Sequence, residues 1–113
     1  MTQTIEYKQF HDIDIRVGTI LEAEEYDKLH KPSILLKIDF GNEIGIKKSS
    51  AQIKKNYNQY DLIDKQIIAV VNFKPKQIGK IISEVLVLGL PDQFDEPILL
   101  SPDKKIVNGS KLY

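Results

Sequence analysis

IKKSSAQIKKNYNQYDLIDKQIIAVVNFKPKQIGKIISEVLVL, residues Ile46 to Leu88, is the stretch on which the rest of the chain depends. Gln66 to Val71 and Ile81 to Leu88 are runs rich in β-branched residues and read as strands. Ile46 ends an earlier strand, and Ser49-Ser50 predicts the cap of a short helix near Ala51–Tyr57. Ile53 and Tyr57, four apart, share a face of that helix. A helix between the third and fourth strands of a five-stranded all-β domain is the arrangement of an OB-fold barrel. That architecture closes its sheet to remove edges and binds oligonucleotides on its strand 2–3 face and loops.

Charge marks the same stretch. Lys47 to Lys80 holds eight Lys against two Asp, a local charge of +6. Residues 1–46 sum to −4 and 81–113 to −2, so the 113-residue chain is neutral. A concentrated Lys field with Tyr, Asn and Ser among it suits a phosphate-backbone partner. The same pattern also describes a solvated Lys face that balances an acidic remainder. Lys47, Lys48 and Lys54 flank the predicted helix start, where unpaired backbone N–H groups also favour phosphate. Lys74, Lys76 and Lys80 ride a basic excursion, Asn72 to Lys80, between the last two strands.

Upstream, Ile13, Ile15, Val17, Ile20 and Leu21 predict strand 1, with Gly18 as a bulge or bend. Tyr26 to Lys31 reads as a polar loop ended by Pro32. Ile34, Leu36, Ile38 and Phe40 alternate with Leu35, Lys37 and Asp39 in strand 2. Gly41-Asn42 predicts a tight hairpin turn into strand 3, Ile44 and Ile46. Ahead of these, Thr4 is placed to cap a short helix carrying Ile5, Tyr7 and Phe10. Downstream, Ile98-Leu99-Leu100 and Lys105-Ile106-Val107 read as short strands and Asn108-Gly109 as a turn. The barrel is complete near Leu88, so residues 1–10 and 89–113 are extensions of one domain, 1–113. They must bury Ile5, Phe10, Ile98, Leu99, Leu100, Leu112 and Tyr113, and a twofold partner would offer the same patch in return. A homodimer is therefore expected, with folding back on the chain's own barrel as the alternative.

Several function classes find no support. The chain has no Cys, hence no disulfide framework or thiolate chemistry. His11 and His30 have no Asp or Glu at a metal-ligand spacing and read as exposed. Ser49-Ser50 lacks a nucleophile elbow, and no glycine-rich phosphate loop occurs. No enzyme, metal or cofactor is expected. Met1 to Asp14 is acidic and polar, unlike a signal peptide, and no run is long enough for membrane insertion, so a cytoplasmic protein is expected.

DIRVGTI (14–20), IDFGNEIGIKKSSAQI (38–53), VVNFKP (70–75) and SEVLVLG (83–89) together resemble the tRNA-binding domain family. SEVLVLG and IKKSSAQI most resemble its stand-alone bacterial branch, the CsaA-type secretion chaperones. The resemblance implies that an Asn-x-x-Pro loop and a strand-5 Ser line a tRNA-binding face, here Asn72, Pro75 and Ser83. Each has a plainer reading, Asn72 as a loop-capping amide and Ser83 as a strand hydroxyl. Val85-Leu86 stands where many members have Gly-Met, and Lys74 and Lys76 where they often have Arg. Lys acts as a point charge without a planar fork, which favours backbone attraction over base specificity. The resemblance thus implies tRNA or another structured RNA as partner, and a homodimeric chaperone of unfolded or exported polypeptides. For the latter, Phe73, Ile78 and Leu86 are the candidate apolar contacts, although Phe73 and Leu86 also suit a core. A weaker reading is a subunit that assists an aminoacyl-tRNA synthetase in trans.

Overall fold

The computed structural model describes residues 2–28 and 31–113. A five-stranded sheet runs in the order β3-β2-β1-β4-β7, formed by Ile46–Ala51, Ser33–Asp39, Ile15–Tyr26, Gln66–Val70 and Leu86–Val87. Two hairpins are added to it, β5 (Lys76–Ile78) with β6 (Ile81–Ser83), and β8 (Gly89–Pro91) with β9 (Pro97–Leu99). Three short helices complete the chain: α1 (Tyr7–His11), α2 (Gly41–Ile44) and α3 (Gln59–Leu62). Among the described residues, no helix is long and apolar enough to cross a membrane.

β1 is long because it serves two neighbours. Ile15 to Thr19 pair with Val70 to Gln66, and Thr19 to Tyr26 pair with Asp39 to Ser33. The register slips between Ile20 and Glu22, a bulge that bends the strand from one neighbour to the other. This is the curl that an OB-fold needs. Gly18 is not the bulge that its sequence position predicted. A Cβ there would lie 2.7 Å from both Ile38 Cγ2 and Phe40 Cδ1, so the glycine lets β1 approach the strand 2 side chains closely.

The expected alternation in β2 is present. Ile34, Leu36, Ile38 and Phe40 are fully buried with Ile20, Leu62 and Ile67. Each such side chain contributes about 1.5–3 kcal/mol relative to exposure. Ile53 and Val85 join the cluster, and Tyr57 packs against it.

Several further local readings are corrected. Ser49-Ser50 cap no helix at Ala51–Tyr57. Ser49, Ser50 and Ala51 pair with Leu36, Leu35 and Ile34: β3 begins at Ile46, where the sequence predicted its end, and runs to Ala51, while Ile44 lies in α2 rather than in the strand. A single turn follows, in which the N–H groups of Asn56 and Tyr57 donate to Ile53 O, and this keeps Ile53 and Tyr57 on one face. The helix is α3, capped by Asn58, whose Oδ1 accepts from the Tyr60 and Asp61 N–H groups at 2.9 Å. It still lies between the third and fourth strands.

Gly41-Asn42 is not a two-residue turn. The left-handed residues are Gly41 and Gly45 (φ 86° each), which bracket α2, and the Gly45 N–H donates to Gly41 O at 2.7 Å. The N-terminal helix is bounded by Glu6 and Gln9 in reciprocal contact rather than by Thr4. The run Ile81 to Leu88 breaks at Glu84-Val85 into β6, paired with β5, and β7, paired with β4. Lys105 to Val107 is not a strand, because Gln66 holds it through both its amide atoms at Ile106. His30 and part of the Tyr26–Lys31 loop lie outside the described residues.

Candidate functional site

The barrel wall between β3 and the 81–88 segment is closed unlike the others. One ladder-type bond, from the Glu84 N–H to Lys48 O at 2.8 Å, is joined by side chains. The Lys48 N–H donates to Glu84 Oε1, and the Ser50 N–H to Ser83 Oγ. Ser49 Oγ, buried, donates to Val85 O. Ser83 is thus a seam hydroxyl, half-buried, and also donates to Val85 O at 3.4 Å.

Beside this seam stands the β5–β6 hairpin. The basic excursion is ordered into it because Gly79 (φ 62°) and Lys80 make a two-residue turn between the paired Ile78 and Ile81. Its base is tied down by Asn72, whose Oδ1 accepts from the Asp14 N–H at 3.0 Å and whose Nδ2 donates to Asp12 O at 2.8 Å. The amide is a clasp between β4 and the α1–β1 junction.

Between hairpin, seam and the β8–β9 tip lies a groove of about 1090 Å³. It brings together two residue sets that the sequence separated. Lys54, Lys74, Lys76 and Ser83 line it, and so do Phe73, Ile78 and Leu86. Phe73 is 57% exposed and Leu86 50%, so neither is core. Lys47, Lys48, Asn72 and Lys80 lie outside the lining; Lys47 and Lys48 sit on β3 opposite Ile38 and Lys37.

Lysines in this region are not equivalent. Lys54 Nζ lies 2.7 Å from Asp27 and 3.1 Å from Glu25, so its charge is offset locally. Hydrogen bonds to Asp27 and then Glu25 hold its pKa above the ordinary lysine value. Lys47, Lys48, Lys74, Lys76 and Lys80 form no ion pair among the described residues. The single Arg is clasped elsewhere: Arg16 bonds Asp14 at 2.6 Å and Gly109 O at 2.9 Å, and the Asp14 hydrogen bond raises its pKa.

Sequence reasoning missed the tail's share of the groove. Leu99, expected at a dimer contact, lines the groove, and its N–H donates to the Tyr57 hydroxyl at 3.0 Å. Asp95, Glu96 and Pro97 line it too, brought there by the pairing of Leu90 with Ile98 across the tip, which no local sequence signal marks. Phe10 packs its ring near Tyr7 and His11. Ile5, Ile98, Leu112 and Tyr113 stay exposed, and Leu112 and Tyr113 line a second cleft of about 380 Å³ beside Ile15, Val17 and Ile106. Among the described residues, no group of three or more His, Cys, Asp or Glu is placed to hold a metal ion.

Residues 15–111 match the sequence family described as "Putative tRNA binding domain". The crystal structure of the chaperone CsaA from Bacillus anthracis str. Ames superposes with a TM-score of 0.91 at 46% identity, covering 98% of this chain and 100% of that one. CsaA from Picrophilus torridus gives 0.90 at 51% identity, with 97% and 100% covered. The methionine–tRNA ligase of Thermococcus onnurineus (strain NA1) is 32% identical over 114 residues, which is 96% of this chain but 15% of the ligase. Sequence match and superposition agree: the chain belongs to the tRNA-binding domain family, where it is similar to the CsaA chaperones.

Proposed function

We propose that this chain is a non-catalytic binding protein that holds tRNA or a similarly structured RNA on the β5–β6 hairpin. The supporting observation is exposed Phe73 beside the unpaired Lys74 and Lys76 in one groove. An aromatic face stacks an unpaired base while the ammonium groups meet the phosphates on either side. Asn72 contributes by holding the hairpin base, and Ser83 by holding the seam, rather than by reading bases. Lys80 at the hairpin turn, with Lys47 and Lys48 on β3, extends the positive field; Lys54 adds little to it.

Anisotropy of a labelled tRNA transcript over a salt series tests this reading. Replacing Lys74, Lys76 and Lys80 with Ala lowers the slope of log affinity against log salt by about 2–3. An unchanged slope places the RNA elsewhere or removes it.

A polypeptide-binding reading is supported by a different observation, the apolar lining that Phe73, Ile78, Leu86 and Leu99 give the groove. The CsaA likeness supports a chaperone of unfolded or exported polypeptides in the cytoplasm, and the methionine–tRNA ligase likeness a role beside a synthetase. The exposed Ile5, Ile98, Leu112 and Tyr113 support a homodimer, with Phe10 beside the Tyr7 ring on α1. Sedimentation equilibrium at micromolar concentration returns twice the chain mass on this reading. A mass near 12.9 kDa without concentration dependence overturns it.

A further inference from the structure

Asn108 and Gly109 stand where three parts of the fold meet. Asn108 Oδ1 accepts from the Thr19 hydroxyl at 2.7 Å and from Gln66 Nε2 at 3.0 Å, so the half-buried amide is pinned to β1 and β4. The Gly109 N–H donates to Val17 O at 2.8 Å, and the Leu112 N–H to Ile15 O at 2.8 Å. On its other side the turn is packed on the start of α2. A Cβ on Gly41 would lie 2.6 Å from Asn108 O, and one on Gly109 would collide with Phe40 O.

An Asn followed by Gly can react with itself. The backbone nitrogen of the glycine attacks the side-chain carbonyl carbon, ammonia leaves, and a cyclic imide forms. Water then opens the imide to aspartate or to isoaspartate, whose backbone runs through the side-chain carbon and is one methylene longer. Glycine favours the attack, because it has no Cβ to shield its nitrogen and bends freely. In the folded chain two features oppose each other. The two donors on Oδ1 polarise the carbonyl, which helps the attack. The Gly109 nitrogen must lose its proton and meet Cγ, yet its N–H is held by Val17 O, and the amide cannot turn while Thr19 and Gln66 hold it. The nitrogen decides, since polarisation does nothing for a nucleophile that is not free. We propose that Asn108-Gly109 is a modification site gated by the fold: it converts to aspartate and isoaspartate only when residues 109–112 leave β1, and the isoaspartyl chain cannot dock again in register. The contacts with Phe40 and Gly41 leave no room for an added methylene, and the bonds at Gly109 and Leu112 no longer meet Val17 and Ile15 together.

Isoaspartate at position 108, quantified by peptide mapping over weeks in neutral buffer, tests it. The folded chain forms it at least about tenfold more slowly than the same chain unfolded in guanidinium chloride. Thr19→Val removes one bond to Oδ1 at nearly constant volume and speeds the folded chain's conversion about fivefold. Leu112→Pro deletes an N–H donor of the tail, away from the reacting atoms, and speeds it as well. Circular dichroism checks the fold of both variants. Equal rates in the folded and unfolded chain overturn the gate, and so does the absence of acceleration in the folded variants. A slower Thr19→Val chain also overturns it, because the hydroxyl would then be activating the carbonyl. In the purified isoaspartyl chain the Val17 and Leu112 amides exchange faster than in the unmodified chain, and unchanged protection overturns the failure to dock.

Discussion

The two sides of the barrel are built differently. From β3 through β2 and β1 to β4 the strands are joined by backbone antiparallel ladders, interrupted only by the β1 bulge, and this side holds the fully buried Ile20, Ile34, Ile38, Phe40 and Ile67. From β3 to the 81–88 segment, side chains of Ser49, Ser83 and Glu84 do much of the joining, and large apolar groups stay in water. Stability is concentrated on the ladder side and exposed recognition chemistry on the seam side.

The sharpest way to break this comparison is to truncate one phenylalanine on each side. Phe40→Ala empties a fully buried site and lowers stability by about 3–5 kcal/mol in urea unfolding. Phe73→Ala changes stability by no more than about 0.5 kcal/mol, yet weakens tRNA or peptide binding. If Phe73→Ala unfolds the chain comparably, the two sides are one structure and the division is wrong.

A smaller effect tests the seam alone. Ser83→Ala leaves the Ser50 N–H without its acceptor and costs about 1 kcal/mol. Amide exchange then speeds at Ser50 and Glu84, while β1 and β2 amides keep their protection. Uniform acceleration across all strands would show that the seam is not a separate unit.

The smallest effect is a pH dependence at the tip. The Glu96 N–H, then the Asn56 amide and the Phe94 N–H, hold the Asp92 carboxyl below its ordinary range. A depressed folded pKa stabilises the fold above the unfolded aspartate range, and this is lost as the pH falls through that range toward the lowered value. Asp92→Asn therefore narrows the gap in melting temperature between pH 6 and pH 3. An unchanged gap would assign the acid sensitivity to other carboxylates.

Sequence reading reached the ladder side more fully than the seam. Ile34, Leu36, Ile38 and Phe40 alternate, and period-2 burial is a local property that a strand prints on its own residues. The break at Glu84-Val85 is not local: it comes from β3 and β4 pulling neighbouring residues toward different partners. Ser49-Ser50 carried a good cap signal that tertiary pairing with β2 overrode, while Asn58, with Asp61 three residues on, was the cap used. Lys74 and Lys76 were visible as charge, but the loss of Lys54 to Glu25 and Asp27 depends on a contact across the fold. The place of Asp95 and Glu96 in the groove lining was not legible, because it follows from the β8–β9 pairing and from the hydrogen bonds of Asp92 across that turn.

The lower half of β1 has one further neighbour, with consequences for how the chain folds. The Val17 N–H donates to Ser110 O, the Gly109 N–H to Val17 O and the Leu112 N–H to Ile15 O, so residues 109–112 fill the edge that β2 leaves vacant. These partners lie about ninety positions apart, so the contact closes one of the longest loops the chain allows, and its entropy must be lost before the contact returns anything. Pairing at this edge is accordingly expected late in folding. Until it forms, Ile15 and Val17 present free N–H and C=O groups next to a hydrophobic core, a template for pairing with another chain. A variant cut before Gly109 would keep this edge open permanently, and its hazard is aggregation from a nearly complete barrel rather than failure to build one.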